Sequence, residues 1–218
     1  ARSLPSQKCP VIFSPRVSSG LFSQLIGALG GSRQYKKSTF LLNSLDQLVL
    51  PSSISILEKP FAKKTIGAKA FDRDGVLKRQ QYFVESGQVK SYVLSQYSAN
   101  QLGLQTTANS GGVNNLIIEH SFSGDLDEMI KLMDTGLVVT ELMGQGVNGT
   151  TGDYSRGAGG FWVENGKIQY PVSGITIAGN LKDMLLGIEH IGTDVDHRGN
   201  IKVGSVLVNQ MTIAGETE

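Results

Sequence analysis

Residues Thr135–Asn180 read TGLVVTELMGQGVNGTTGDYSRGAGGFWVENGKIQYPVSGITIAGN. The apolar, β-branched run Gly136–Leu142 predicts a buried strand. Gly144, Gly146, Gly149 and Gly152 then punctuate a polar segment that holds regular structure only at a cost in backbone entropy. Tyr154–Val163 resumes as strand. Asn165-Gly166 is the strongest short hairpin signal in the chain, because both residues tolerate the positive φ of a type I′ turn. Lys167–Tyr170 is the expected return strand. Phe161 and Trp162 are consecutive, so one should face the core and the other a surface or a partner. Tyr154 and Trp162 together make a candidate aromatic interface patch.

Outward from this block, Pro10–Ser14 reads as a short strand. Ser18–Leu29 reads as a helix, with Leu21, Phe22, Leu25, Ile26 and Leu29 on one face and Gly30-Gly31 as its stop. In Lys37–Leu50 the first half suits a helical turn and the second half a strand, with a further strand at Ser53–Leu57. Val76–Val84 and Gln88–Leu94 read as strands joined at Glu85-Ser86-Gly87. Ser95–Leu102 is a short helix ending at Gly103, Gln105–Asn115 a loop and Leu116–Glu119 a strand. Asp125–Met133 is a helix with Ser123 or Asp125 as its cap. Ser173–Ala178 is a strand, and Asn180 caps a helix carrying Leu181, Met184, Leu185 and Ile188. Thr193–Asn200 is a polar loop and Gly204–Ile213 the last strand. The sum is an α+β, β-rich fold: a large, mostly antiparallel sheet, curled or barrel-like as an open alternative, with three or four short helices packed on it.

The 218 residues supply ample core for one domain. Twenty basic against 19 acidic residues give a net charge of +1, which is no footprint for nucleic acid. The clusters Arg33/Lys36/Lys37 and Lys59/Lys63/Lys64 read as solvated faces rather than phosphate sites. Cys9 is the only cysteine, so no internal disulfide forms, in keeping with a reducing compartment. No apolar run reaches the ~20 residues of a membrane helix.

Nucleophile and nucleotide motifs fail on inspection. Asp153, Ser155 and Arg156 have no histidine near them in sequence and no strand-turn-helix elbow around the serine. Gly144–Gly152 lacks the closing Gly-Lys-Ser/Thr of a P-loop. His120, His190 and His197 read as surface or hydrogen-bonded histidines, and Cys9 as a plain small residue. The glycine-rich segment fits better as a loop on a rigid scaffold, where binding function commonly sits.

The block GDYSRGAGGFWVENG at Gly152–Gly166, with KSTFLLNSL at Lys37–Leu45, QYSANQLGLQTT at Gln96–Thr107 and GSVLVNQMTIAG at Gly204–Gly215, resembles the PmbA (TldE) branch of the TldD/PmbA family, also called modulators of DNA gyrase. The likeness covers almost the whole chain. Members are about twice as long, which implies that residues 1–218 are a single C-terminal domain of a longer protein. In the TldD branch the resemblance implies a zinc peptidase motif, His-Glu-x-x-x-His on a helix, with a cysteine ligand near the C-terminus. A spacing of five turns the second imidazole about 140° round an ideal helix, so the helix must distort or the ligands must reach. Here Ser19 and Gln24 stand at the histidine positions, Gly20 at the glutamate and Val203 at the cysteine. The resemblance therefore implies no catalytic residue, metal or cofactor in this chain, with zinc in a TldD-type partner.

The resemblance further implies a cytoplasmic heterodimer with that TldD-type catalytic subunit, or a homodimer when alone. It acts on unfolded peptides, as in microcin precursor maturation and antitoxin breakdown, without nucleic acid or membrane. The expected peptide wall or interface is Glu141–Arg156, with Glu141, Gln145, Asp153, Tyr154, Ser155, Arg156 and Trp162 as candidates. A rival reading is a regulator of DNA gyrase, acting directly or through an antitoxin. A third is a homo-oligomeric peptidase whose ligands come from the missing half.

Overall fold

A computed structural model describes residues 1–215. The expected large sheet closes on itself. Strands β1 (Gln7–Phe13), β6 (Gly136–Met143), β7 (Asp153–Glu164), β8 (Lys167–Asn180) and β11 (Val206–Gly215) pair in that order, and β11 returns to pair with β1. The result is a five-stranded barrel. Only β1 and β6 run parallel in it, with Val11 opposite Leu137. A short strand β9 (Ile188–Ile191) adds to the free end of β11.

Closure follows from residues that alternate along each strand. Val11, Leu137, Trp162, Ile177 and Val208, one from each barrel strand, all enter the main core. Their neighbours Ile12, Val138, Val163 and Leu207 point the other way, under helix α4 (Leu126–Met133), which lays Met129, Ile130 and Met133 on them. Two apolar faces explain why β1 and β6 read as continuous apolar runs. Helix α1 (Pro15–Ala28) packs against β1 and β6 through Leu21, Phe22 and Leu25.

A second sheet holds the shorter strands, in the order β10 (Ile201–Lys202), β5 (Leu116–Ile118), β2 (Ile56–Glu58), β3 (Gln81–Glu85) and β4 (Gln88–Val89). Its inner residues Ile56, Phe83 and Leu116 extend the same core. Its edge encloses a polar network. Glu58 is wholly buried at the end of β2 and meets Lys78 Nζ at 3.3 Å. The carboxylate also accepts from Gln81 Nε2 (2.9 Å), Asn109 Nδ2 (3.0 Å) and the Asn114 amide (2.6 Å). Lys78 Nζ also donates to Ala108 O at 2.7 Å. These bonds fasten residues 105–115 to the sheet.

Local signals hold where they are strong. Asn165 and Gly166 adopt φ of 51° and 66°, and Glu164 faces Lys167 across the turn. Asp125 caps α4 and Glu128 completes a capping box. Ser95 does the same with Ser98 on α3 (Gln96–Leu102), which ends at Gly103.

Several expectations are corrected. Lys37–Leu50 is a series of turns, with Asn43 and Asp46 at positive φ and a single bridge from Leu48 to Gln88. The turns are held from α2 (Gly31–Tyr35), a helix the sequence reading did not foresee: buried Gln34 donates to Leu41 O at 2.9 Å. Of Val76–Val84, only residues from Gln81 are strand, because Lys78 turns inward to Glu58. Of Gln88–Leu94, only Gln88–Val89 is strand. The return from the Asn165-Gly166 turn does not stop at Tyr170 but runs through Pro171 to Asn180. Helix α5 (Leu181–Leu186) stops before Gly187, and Ile188 opens β9 instead of joining the helix.

Candidate peptide cleft

Helix α1 starts at Ser14-Pro15, with proline at the first turn where its missing N–H costs nothing. Ser18 Oγ donates to Gly204 O at 2.8 Å, which pins the start of α1 to the segment before β11. That segment is braced by Asp194, which accepts from Ser205 N (3.0 Å) and Ser205 Oγ (2.6 Å). The two parts of the chain to which the resemblance assigns zinc positions are thus packed together. Ser19 and Gln24 are half-buried on α1, Gly20 is exposed and Val203 is fully buried. A hydroxyl, a carboxamide and a buried isopropyl group do not fit zinc, which takes thiolate, imidazole or carboxylate. Among the described residues no three His, Cys, Asp or Glu side chains gather as a ligand set.

Strand β6 outruns its partner. β1 pairs with Leu137–Val139 only, while β7 continues alongside as far as Met143. One edge of residues 140–143 therefore carries no strand among the described residues. A cleft of about 650 Å³ opens there, between Thr140–Leu142 and Ser14–Val17, with Arg198 at its rim. Glu141 lines it, with its carboxylate folded over Gly159, where any β-carbon would collide with it. Arg198 donates to Asp196 Oδ1 and Oδ2 at 2.9 and 2.8 Å. The guanidinium holds the Asp196 carboxyl down at about 2.

A second, shallower cleft of about 540 Å³ is formed by Gln145–Gly149, Asp153 and Ser155. The glycine-rich segment around it is pinned at many points. Asn148 N donates to Asp153 O (2.8 Å), Phe40 N to Gly149 O (3.1 Å) and Leu181 N to Gly152 O (2.7 Å). Asn148 Oδ1 accepts from Thr150 N and Thr151 N. Gly146 lies so close to the Ser155 carbonyl that a side chain there has no room.

The predicted wall thus divides. Glu141 sits in the first cleft, and Gln145, Asp153 and Ser155 in the second. Tyr154 and Trp162 line neither. Both are buried in the main core, at 4% and 5% exposure, so they form no aromatic surface patch. The reason is the pleat: even-numbered β7 residues from Tyr154 to Trp162 share the core side, apart from a slip at Ala158/Gly160. Trp162 Nε1 donates to Glu164 Oε1 at 2.8 Å. Burial pushes the Tyr154 hydroxyl up to about 12, against the opposing pull of Arg156 beside it. Arg156 is half-buried, and its Nε has no hydrogen-bond partner.

His190 packs in a tilted arrangement against Phe122, ring centroids 5.2 Å apart, while His120 and His197 are exposed. Cys9 is buried on β1, where desolvation raises its thiol to about 11. The sequence reading missed Ser14, Arg16, Thr140 and Arg198. The Ser-Pro start of the helix was the one local signal that could have marked the first cleft.

Residues 6–215 match the family model described as PmbA/TldA metallopeptidase C-terminal domain. Metalloprotease PmbA of Escherichia coli O157:H7 is 50% identical over 215 residues, which is 99% of this chain and 48% of that protein. A PmbA homologue of Haemophilus influenzae is 44% identical over 98% of this chain and 48% of its own length. Among solved structures, a protein of Bacteroides thetaiotaomicron described as a modulator of DNA gyrase superposes with a TM-score of 0.93 at 29% identity, covering 99% of this chain and 48% of that one. TldE of Thermococcus kodakarensis does so with 0.85 at 25%, covering 98% and 52%. The chain spans about half the length of the curated relatives it matches. No helix in the described residues is long and apolar enough to cross a membrane. The chain belongs to the PmbA/TldD metallopeptidase family, and residues 6–215 are that family's C-terminal domain.

Proposed function

We propose that this chain is the peptide-handling, non-catalytic part of a heterodimeric, cytoplasmic metallopeptidase whose TldD-type partner supplies zinc and the general base. The observation that carries the reading is the pairing of a preserved α1 frame with side chains on it that cannot bind zinc. The Ser18–Gly204 bond keeps α1 and the segment at Val203 in contact, yet Ser19, Gly20, Gln24 and Val203 offer no imidazole, carboxylate or thiolate. The unpaired edge of β6 beside that frame supports the peptide role. An extended, unfolded substrate can add to Thr140–Met143 through main-chain hydrogen bonds, which carry little sequence preference. Substrates of the kind the family resemblance implies, microcin precursors and antitoxins, suit such an edge. No step of hydrolysis is assigned to this chain.

Mixing the full-length protein with its TldD-type partner should create peptidase activity well above that of the partner alone, and the full-length protein should carry substoichiometric zinc after dialysis. No gain on mixing sinks the subunit reading. Near one zinc per chain would return the catalytic role to this protein. Some relatives bear the name modulator of DNA gyrase. Capture of gyrase by the purified protein in the absence of any peptidase would favour that reading instead.

A further inference from the structure

The excursion from Lys59 to Gln80, between β2 and β3, is unlike the rest of the surface in two respects. It exposes four large apolar side chains: Phe61 (52%), Ile66 (85%), Phe71 (57%) and Leu77 (62%). It also concentrates charge of one sign. It holds seven of the 20 basic residues and two of the 19 acidic ones, which leaves 13 basic and 17 acidic elsewhere.

The two acids do not neutralise it. Asp72 Oδ1 accepts from the amides of Asp74 and Val76, both at 2.9 Å, and Oδ2 from Ser110 N at 3.0 Å. Asp74 accepts from Ser110 Oγ (2.8 Å) and Gln96 N (3.0 Å). Both carboxylates are occupied in fixing a small hairpin onto the neighbouring loop. In that hairpin Phe71 and Leu77 face each other across the strands, so their side chains share one side. Lys78 is buried against Glu58. Lys63, Lys64, Lys69 and Arg79 are exposed, and none makes an ion pair among the described residues.

We propose that this excursion is a docking surface for an extended, acidic polypeptide segment that interleaves carboxylates with apolar side chains. Charge complementarity selects the occupant: unpaired cations alternate along the excursion with the exposed apolar groups, so a strip of opposite pattern satisfies both at once. A bilayer fits less well. A membrane-inserting hairpin carries its apolar residues at the tip, whereas this tip is Asp72-Arg73-Asp74-Gly75 and the apolar residues lie on its flanks. The inference needs neither zinc nor a catalytic partner, and its test reads binding rather than hydrolysis.

The probe is a fluorescent, unstructured peptide alternating Asp or Glu with Leu or Phe, titrated by anisotropy against the full-length protein at low and high salt. A basic peptide of the same apolar content and anionic phosphatidylserine vesicles run in parallel. The acidic peptide should bind, weaken several-fold in high salt, and weaken at least as much in Lys63→Glu/Lys64→Glu and in Phe61→Ser/Ile66→Ser. All four positions are exposed, and circular dichroism checks that both variants keep the fold. Failure to bind, equal binding of the basic peptide, binding indifferent to both double variants, or binding to vesicles alone would each overturn the proposal.

Discussion

The barrel and the second sheet solve the same problem by different physics. Barrel strands run from 7 to 14 residues and bury aliphatic side chains on one face or both, so the apolar area each one buries holds it in place. Strands of the second sheet have two to five residues, too few for alternation to specify much. There a buried carboxylate takes over. Glu58 gathers Lys78, Gln81, Asn109 and the Asn114 amide, each from a different point along the chain. Long strands rely on area; short ones rely on directed polar bonds that every partner must satisfy.

The contrast can be broken most sharply at its polar end. Glu58→Ala strands the Lys78 ammonium in the interior and is expected to cost about 3–5 kcal/mol in urea unfolding. Glu58→Met with Lys78→Met should recover only part of that, because Gln81, Asn109 and the Asn114 amide lose their carboxylate acceptor. A loss under about 1 kcal/mol for the single change would mean that the network does not hold the second sheet. In the barrel, Leu137→Ala opens a cavity at a fully buried site and should cost about 2–5 kcal/mol. No second substitution by a matching apolar group should rescue it short of refilling the space, which separates area from directed bonding.

The smallest effect is confined to alkaline pH. The Cys9 thiol, raised by burial to about 11 from an ordinary 9.0, stays protonated in the folded barrel after an unfolded chain would have ionised. Its folded value is the higher one. Its contribution is therefore complete below about pH 9 and is lost as pH rises towards about 11. Unfolding midpoints measured across that window should fall more steeply for the native chain than for Cys9→Ala. Equal slopes would show that Cys9 is not shielded. Thiol reagents at neutral pH should label it only after unfolding.

The two regions were also unequally legible. In the barrel, β6 follows from an apolar, β-branched run. The Asn165-Gly166 hairpin follows from the positive φ that only such residues accept cheaply, and α4 from Asp125 and Glu128. In the second sheet, Val76–Val84 reads as one strand leading into the Glu85-Ser86-Gly87 hairpin, but the chain bends at Lys78, whose partner is 20 residues upstream in sequence at Glu58. Lys37–Leu50 reads as half strand from its apolar stretch, while Gln34 and Thr39 hold it in turns through Ala28 O and Leu41 O. The candidate site was legible as a stretch, Glu141–Arg156, and not as a shape. Which of its residues face a cleft depends on where β1 stops along β6.

By itself the sequence determined the α+β class, the strong caps and turns, and the family through the Gly152–Gly166 block. These are properties of residue identity or of neighbours within a few positions. The tertiary structure alone decided that the sheet closes, that Tyr154 and Trp162 turn inward, and that among the described residues no strand covers the edge of β6 beside α1. It alone left Lys63, Lys64, Lys69 and Arg79 exposed and without ion-pair partners among the described residues. Each of these depends on contacts between residues far apart in the chain, whose register is set by the packing of the whole core and by no local preference.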